Sequence, residues 1–288
     1  MAIQPLFFTK MQAYGNDYIY VDAIHQEIKE PGELAKKISD RHFGVGSDGL
    51  VLICPSDSCD FKMRIFNPDG TEAEMCGNAL RSSSKFVYFY HLVEKEFLTV
   101  ETLGGVQRVW LEVENGEVVN IRACIGKPEF CAKKIPVNTN EETFLNQKIT
   151  ILDREFMVSS LSWGNPHTVL FVEDVESLDV EKYGKFVEYM ECFPKRTNVT
   201  FAQVLDKGHI RIREWERGTG ETLGCGTGCC SAVVAANLLG KCEREVTCSQ
   251  PGGELFVEWD KQDEVYMTGP AHIVYKGEYG YETKTITG

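Results

Sequence analysis

The sequence predicts an α+β protein of two homologous, pseudo-symmetric lobes, each a strand-rich sheet wrapped around a buried helix. Three observations carry this reading. First, sliding the chain against itself superimposes its halves at nearly one offset, the mark of an internal repeat. Tyr14-Gly15-Asn16 falls on Trp163-Gly164-Asn165, and RIFNPDGTEAEMCGNA (64–79) falls on REWERGTGETLGCGTG (213–228), with Glu72 on Glu221 and Cys76 on Cys225. Gly104-Gly105 falls on Gly252-Gly253 with a slip of one residue. Second, the runs 62–66 and 210–215, which precede the two cysteines, alternate apolar and polar residues as half-buried strands do. Third, each Cys-Gly is followed by an apolar stretch of helix length. A chain of 288 residues suits two domains of roughly 100–200 residues each.

Along the chain, MAIQPLFFTKMQAYGNDYIYVD has one lysine, a broken apolar run and no small-residue cleavage site, so it does not read as a signal or transit peptide. No segment approaches the roughly 18 to 20 uninterrupted apolar residues of a membrane span. GVGSDG (44–49) lacks the lysine of a P-loop and the full dinucleotide fingerprint, and reads as a turn that shapes the cleft. After the strand at 62–66 a glycine-rich turn leads to Cys76. A helix is expected from 77 to about 93, mostly buried through Leu80, Phe86, Val87, Phe89 and Leu92. Gly104-Gly105 then opens the alternating run VQRVWLEV. The polar segment 138–148 joins the halves, and the chain is divided into a first lobe, 1–130, and a second, 131–273. In the second lobe the helix at 228–239, GCCSAVVAANLL, has almost no polar face and should be buried on all sides. Gly252-Gly253 opens the alternating run ELFVEWD.

Composition removes several classes of function. With 43% hydrophobic and 25% charged residues the chain is ordinary globular protein, neither disordered nor collagen nor coiled coil. Its net charge of −13 would repel phosphate backbones, so no nucleic-acid partner is expected. Eleven cysteines, an odd number at irregular spacings, fit free thiols in the reducing cytoplasm better than a secreted disulfide framework. Cys54, Cys59, Cys124, Cys131, Cys192, Cys229, Cys230, Cys242 and Cys248 read as small buried hydrophobes. Cys225, Cys229 and Cys230 have no partner cluster of the kind zinc needs, so no metal is expected.

Cys76 and Cys225 differ from the rest because the repeat keeps glycine-rich turn, cysteine and helix start together. A thiol at a helix N-terminus faces unpaired N–H groups and the positive end of the macrodipole, which favour thiolate and lower the ordinary pKa of about 8.5. Both are therefore candidate bases at neutral pH. Two such groups on opposite sides of a cleft between pseudo-two-fold lobes suit inversion at a carbon stereocentre: one removes a proton, the other returns one to the opposite face. That is the chemistry of an amino-acid racemase or epimerase working without pyridoxal phosphate. The N–H groups of Gly77 and Asn78, and of Gly226 and Thr227, can hold an α-carboxylate and the charge it gains as a carbanion forms, so no organic cofactor is required. The alternative from another class is a small-molecule binding protein on the same scaffold; such a protein usually loses one acid/base residue, and this chain has both.

The segments GNDYIYVD (15–22), RHFGVGSDG (41–49), RIFNPDGTEAEMCGNALR (64–81), WGNPH (163–167), Arg196-Thr197-Asn198, WERGTGET (215–222), CGTG (225–228) and PGG (251–253) match one known family in order. Over essentially its full length the chain resembles diaminopimelate epimerase. The resemblance implies interconversion of LL- and meso-diaminopimelate for lysine and peptidoglycan-precursor synthesis, by a cytoplasmic and commonly homodimeric enzyme acting on a small-molecule amino acid. It also implies barrel-like lobes with the active site in the cleft between them, and a C-terminal tail, about 274–288, that returns to the first lobe. By resemblance Cys76 and Cys225 are the acid/base pair, His167 assists Cys76, and Glu216 assists Cys225 and meets the α-ammonium with Asn67. Arg217, with Asn16, Asn165 and Asn198, resembles the set that holds the far end of the substrate, where a guanidinium can grip a carboxylate bidentately. Related racemases for proline and hydroxyproline read Met-Cys-Gly-His at the first cysteine. Here Asn78 follows Met75-Cys76-Gly77, which favours the diaminopimelate branch. A racemase of relaxed specificity that also accepts glutamate stays open. The run Ser82-Ser83-Ser84, in an otherwise apolar helix start, has no account from sequence.

Overall fold

Alternating and β-branched segments become strands, and the repeat becomes a repeated topology. In the computed structural model, which describes residues 3–282, β1 (Ile3–Ala13) turns at Tyr14 and Gly15, both with positive φ, into antiparallel β2 (Asn16–Asp22). Helix α1 (Pro31–Ile38) starts on a proline, whose missing N–H is one the first turn leaves unused, and buries Leu34, Ala35 and Ile38. β3 (Leu50–Cys54) lies parallel to β2, β4 (Phe61–Phe66) antiparallel to β3, and the short β5 (Glu72–Ala73) antiparallel to β4. After helix α2 (Gly77–Phe89) come β6 (Phe97–Thr102), parallel to β4, β7 (Gly105–Glu114), antiparallel to β6, and β8 (Glu117–Gly126).

The second half repeats that order. β9 (Gln147–Ile151) and β11 (Pro166–Phe171) flank β10 (Arg154–Ser162) antiparallel, and helix α3 (Val180–Glu188) follows with Asp179 as its N-cap, accepting from the Lys182 N–H. β12 (Asn198–Asp206) is parallel to β11, β13 (His209–Glu216) antiparallel to β12, and β14 (Gly220–Thr222) antiparallel to β13. After helix α4 (Gly226–Leu238) come β15 (Glu245–Gln250), parallel to β13, then β16 (Gly253–Trp259) and β17 (Val265–Gly269), each antiparallel to its predecessor. Finally β18 (His272–Glu282) pairs antiparallel with β1, the place β9 holds on β10. The strands and helices therefore form two compact units: one runs to Ala123 and resumes at Pro270, and the other is Cys124–Gly269. The α+β repeat expected from sequence is the architecture found. Residues 283–288 of the expected returning tail lie outside the described residues.

Three local expectations need correction. Helix α2 ends at Phe89 and not near Val93, because His91 takes φ 54° and Leu92 N–H turns back to the Val87 carbonyl; Phe89 is 45% exposed. Helix α4 begins two residues earlier than expected, at Gly226, and its last residue, Leu238, is exposed although the rest of its body is almost wholly buried. The segment 138–148, read as the join of the halves, lies inside the second unit, where Asn138 N–H bonds the Cys192 carbonyl and Phe144 packs in the core against Phe193. Ser82, Ser83 and Ser84 are buried, with Ser84 Oγ donating to the Leu80 carbonyl and Ser82 bonded to the buried Tyr20 phenol, so the polar run is partly absorbed within its own helix and the facing strand. Among the described residues no helix is long and apolar enough to cross a membrane.

Candidate active site

In the first unit the β5 turn delivers Cys76 with extended backbone (φ −143°, ψ 122°), and it becomes the N-cap of α2. Its thiol donates to Asn16 Oδ1 at 3.6 Å, and Asn78 Nδ2 reaches the same oxygen at 3.3 Å. The other end of Asn16 donates to Asp48 Oδ2 at 2.9 Å, so the 44–49 turn anchors the asparagine that meets the thiol. Beneath this, the fully buried Arg81 donates to Asn78 Oδ1 at 2.6 Å and lies over the Tyr14 ring. Tyr18 is hydrogen-bonded to Cys76, and burial, followed by the nearby Cys76 charge, pushes its phenol well above the usual range. Asn67 Nδ2 donates to Thr71 Oγ1 at 3.0 Å and holds the turn between β4 and β5.

In the second unit Cys225 stands at the equivalent place, the N-cap of α4, again extended (φ −127°, ψ 111°). Its sulfur accepts from Gly228 N–H at 3.4 Å and lies 3.5 Å from Thr227 Oγ1, while its own N–H is held by Gln250 Oε1 at 2.9 Å. The sequence reading expected a lowered pKa here, and the structure reverses it for Cys225. The residue is 8% exposed, and burial first, then the charges of Glu216 and Glu214, push the thiol well above its ordinary value. The Thr227 hydroxyl and Gly228 N–H pull the other way and are outweighed. A helix terminus contributes about 0.3–1 kcal/mol in an exposed setting, whereas burying a charge beside like charges can shift a pKa by several units.

Glu216 is oriented by Thr222 Oγ1, which donates to its Oε1 at 2.7 Å. Asn198 spans two segments: Nδ2 donates to the Pro166 carbonyl at 2.9 Å and Oδ1 accepts the Arg217 backbone N–H at 2.9 Å. Arg217 Nη1 donates to the Lys195 carbonyl. The Asn165 carbonyl accepts from Ser162 Oγ and the Trp163 N–H, closing the turn at Gly164. His167 on β11 is fully buried, with Nδ1 3.6 Å from Glu214 Oε1. The structure thus gathers Asn16 and Asn78 at Cys76, and Glu216 and Thr227 at Cys225, while Asn67 and Asn165 serve turns within their units. Gly77 and Gly226 open the two helices, each beside its cysteine.

Sequence reasoning missed Tyr18, Asp48, Arg81, Glu214 and Gln250. One of them carried a signal: alternation along β13 puts residues 210, 212 and 214 on one face, and Ile210 and Ile212 mark that face as interior, so a glutamate there is out of place. Among the described residues no cluster of histidine, cysteine and carboxylate side chains could hold a metal ion.

A family model described as diaminopimelate epimerase matches residues 8–131 and 159–274. A diaminopimelate epimerase of Methanococcus maripaludis is 49% identical over 272 residues, covering 94% of this chain and 98% of that protein. One of Acetivibrio thermocellus is 47% identical over 272 residues, covering 94% and 97%. Among solved structures, a PhzF-family phenazine biosynthesis protein of Bacillus anthracis aligns with TM-score 0.72 at 19% identity, over 96% of this chain and 99% of that one. A probable proline racemase of Agrobacterium radiobacter aligns with TM-score 0.70 at 15% identity, over 96% and 93%. These last two are likenesses of fold.

Proposed function

The chain belongs to the diaminopimelate epimerase family, and from that membership we propose that it interconverts LL- and meso-diaminopimelate with Cys76 and Cys225 as the two acid/base groups. One sulfur, as thiolate, takes the α-proton from one face of the substrate carbon. The other, as thiol, gives its proton to the opposite face. The C–H bond broken and the C–H bond formed lie on opposite faces, and the two sulfurs exchange protonation states. The reading rests on one observation above others: the two cysteines occupy the same residue of the repeat, and each is the N-cap of its helix.

The first-turn N–H groups, at Gly77 and Asn78 and at Gly226 and Thr227, hold the α-carboxylate as negative charge spreads into it. Asn67 and Glu216 meet the ammonium, His167 assists Cys76, and Arg217 with Asn16, Asn165 and Asn198 takes the distant amino-acid end. In this scheme every proton is carried by a residue of the chain, and no pyridoxal phosphate takes part. A cytoplasmic homodimer belongs to the same reading; sedimentation of the purified protein checks the dimer, and cell fractionation checks the location.

The test is isotopic. With LL-diaminopimelate in D2O at low conversion, the product should carry deuterium at one α-carbon while recovered substrate stays almost unlabelled, because the donor thiol has already exchanged with solvent. Product that keeps its original hydrogen, or substrate labelled as fast as product, would sink the two-base assignment. Cys76→Ala and Cys225→Ala should each retain less than a few percent of activity with unchanged circular dichroism. A parallel panel of single amino acids, glutamate included, with and without added pyridoxal phosphate, reads substrate breadth and cofactor independence.

A further inference from the structure

β13 turns Ile210, Ile212 and Glu214 to the interior of the second unit, and Glu214, 2% exposed, is the residue of that face that does not fit a core. A buried carboxylate normally collects partners, as Glu188 does from Arg196, the Gly218 N–H and Trp215 Nε1. Among the described residues neither oxygen of Glu214 has a hydrogen-bond partner, and neither ring nitrogen of His167, whose Nδ1 lies 3.6 Å away, has one either. The same carboxyl rests on the first turn of α4. A Cβ on Gly228 would stand 2.5 Å from Glu214 Oε2, and the Gly228 N–H is the group bonded to the Cys225 sulfur.

The repeat supplies an internal comparison. At the matching positions the first unit has Ile65 in place of Glu214 and Ala79 in place of Gly228, both buried, with Tyr18 in place of His167. The scaffold's packing is therefore met by apolar residues in one copy. In the other it carries an acid, a histidine and a glycine small enough to let the acid reach the helix start. Uncompensated burial of a carboxylate is costly, and a site that keeps one points to a use beyond packing.

We propose that Glu214 is a positioning residue of the epimerisation: its carboxylate, held between the His167 imidazole and the first turn of α4, keeps Cys225 as the proton-carrying thiol between turnovers. The inference rests on the reading of Cys225 as one of the two acid/base groups. The groups that face the thiol are Glu214 and Glu216 from β13, and Thr227 and the Gly228 N–H along α4, with His167 of β11 behind Glu214 and uncharged Gln250 of β15 on the backbone side, where it also accepts from Cys229 Sγ. Glu214 and Glu216 both disfavour thiolate, and Glu214 is the one whose carboxyl rests on the first turn of α4 at Gly228. In the active enzyme the two thiols share one proton, and loss of that proton defines the high-pH limb of kcat/KM, common to both reaction directions.

The experiment is the pH profile of kcat/KM in both directions for the wild type, Glu214→Gln and Glu214→Asp, with circular dichroism as the check on folding. Glu214→Gln keeps size and hydrogen-bonding capacity and removes the charge. It should bring the high-pH limb down by about one unit, so that kcat/KM above the limb falls about tenfold relative to its own plateau, while Glu214→Asp leaves the limb closer to that of the wild type. A uniform loss of kcat with the limb unmoved would make Glu214 a packing residue and overturn the proposal, as would wild-type kinetics. If Glu214→Gln does not fold, Glu214→Asp alone carries the test, because withdrawing the charge from Gly228 by one methylene should lower the limb measurably, and an unmoved limb overturns the proposal. Cys225→Ala separates the two levels. Turnover in that variant removes the two-thiol reading itself, whereas an inactive Cys225→Ala beside an unmoved limb in the Glu214 variants removes only the role of Glu214.

Discussion

Arg64 clamps Glu72 through two parallel hydrogen bonds, Nε to Oε1 at 2.7 Å and Nη2 to Oε2 at 2.8 Å. The pair ties β4 to β5 a few residues ahead of Cys76. The matching pair in the second unit, Arg213 with Glu221, does the same ahead of Cys225, but Arg213 also reaches the carbonyls of Val175 and Leu178 in the segment before α3. The shared pair sets each cysteine-bearing turn on its strand, and the extra bonds make the second one harder to remove. Arg64→Met, at a partly exposed pair, should cost about 1 kcal/mol, and Arg213→Met about 2–3 kcal/mol because buried carbonyls lose their donor. Thermal melts of the two variants check the order, and equal shifts would contradict it.

Gly228→Ala should be more damaging than its size suggests. The new methyl would overlap the buried Glu214 carboxyl, which has no solvent to retreat into. Overpacking of this kind costs about 1–3 kcal/mol, and activity should fall with it because the displaced turn carries Cys225. Gly208→Ala, whose new methyl would come no closer than 3.6 Å to a neighbour, is the control and should stay within about 0.5 kcal/mol of the wild type. Urea denaturation and a rate assay on both variants decide the matter.

Arg217→Lys tests the substrate-holding role. An ammonium cannot reproduce the planar fork that a carboxylate takes bidentately, so KM for LL-diaminopimelate should rise by about tenfold or more while the fold is kept. An unchanged KM would place Arg217 outside the substrate site.

Stability should decline on the alkaline side. Cys225 and Tyr18 are held above their ordinary pKa chiefly by burial, and Cys242 is pushed up to about 11 for the same reason. A group whose folded pKa exceeds its unfolded one stabilises the fold fully below the unfolded value and loses that contribution as pH rises toward the folded value. For the thiols the decline begins near about pH 8.5 and continues past 11. Urea midpoints measured from pH 7 to 11 should fall across this range, less steeply in Cys225→Ala. A flat profile would mean that these thiols titrate alike in the folded and unfolded chain.

Local pattern made much of the molecule legible. Alternation in 62–66 and 210–215 became β4 and β13, and the constant offset between Cys76 and Cys225 became one topology used twice, with each cysteine as the cap of its helix. These features follow from side-chain period and turn chemistry, which a stretch of a dozen residues contains by itself. The end of α2 was less legible, because it depends on a positive φ at His91, a residue with no glycine to announce it.

The sequence by itself determined the repeat, the strand and helix faces, and the placing of a thiol at each helix start. Tertiary structure alone decided what state each thiol is in and which groups stand behind it. Cys76 and Cys225 read as equals along the chain, yet Cys225 is buried beside two carboxylates, while Cys76 is partly exposed and meets Asn16 and Tyr18. Glu214 reaches His167 and the start of α4 only because β13 is packed beside β12, itself paired with β11, and beneath that helix. Desolvation and Coulomb interaction depend on distances through space between residues far apart in the chain, and those distances are set by packing and not by spacing along the sequence.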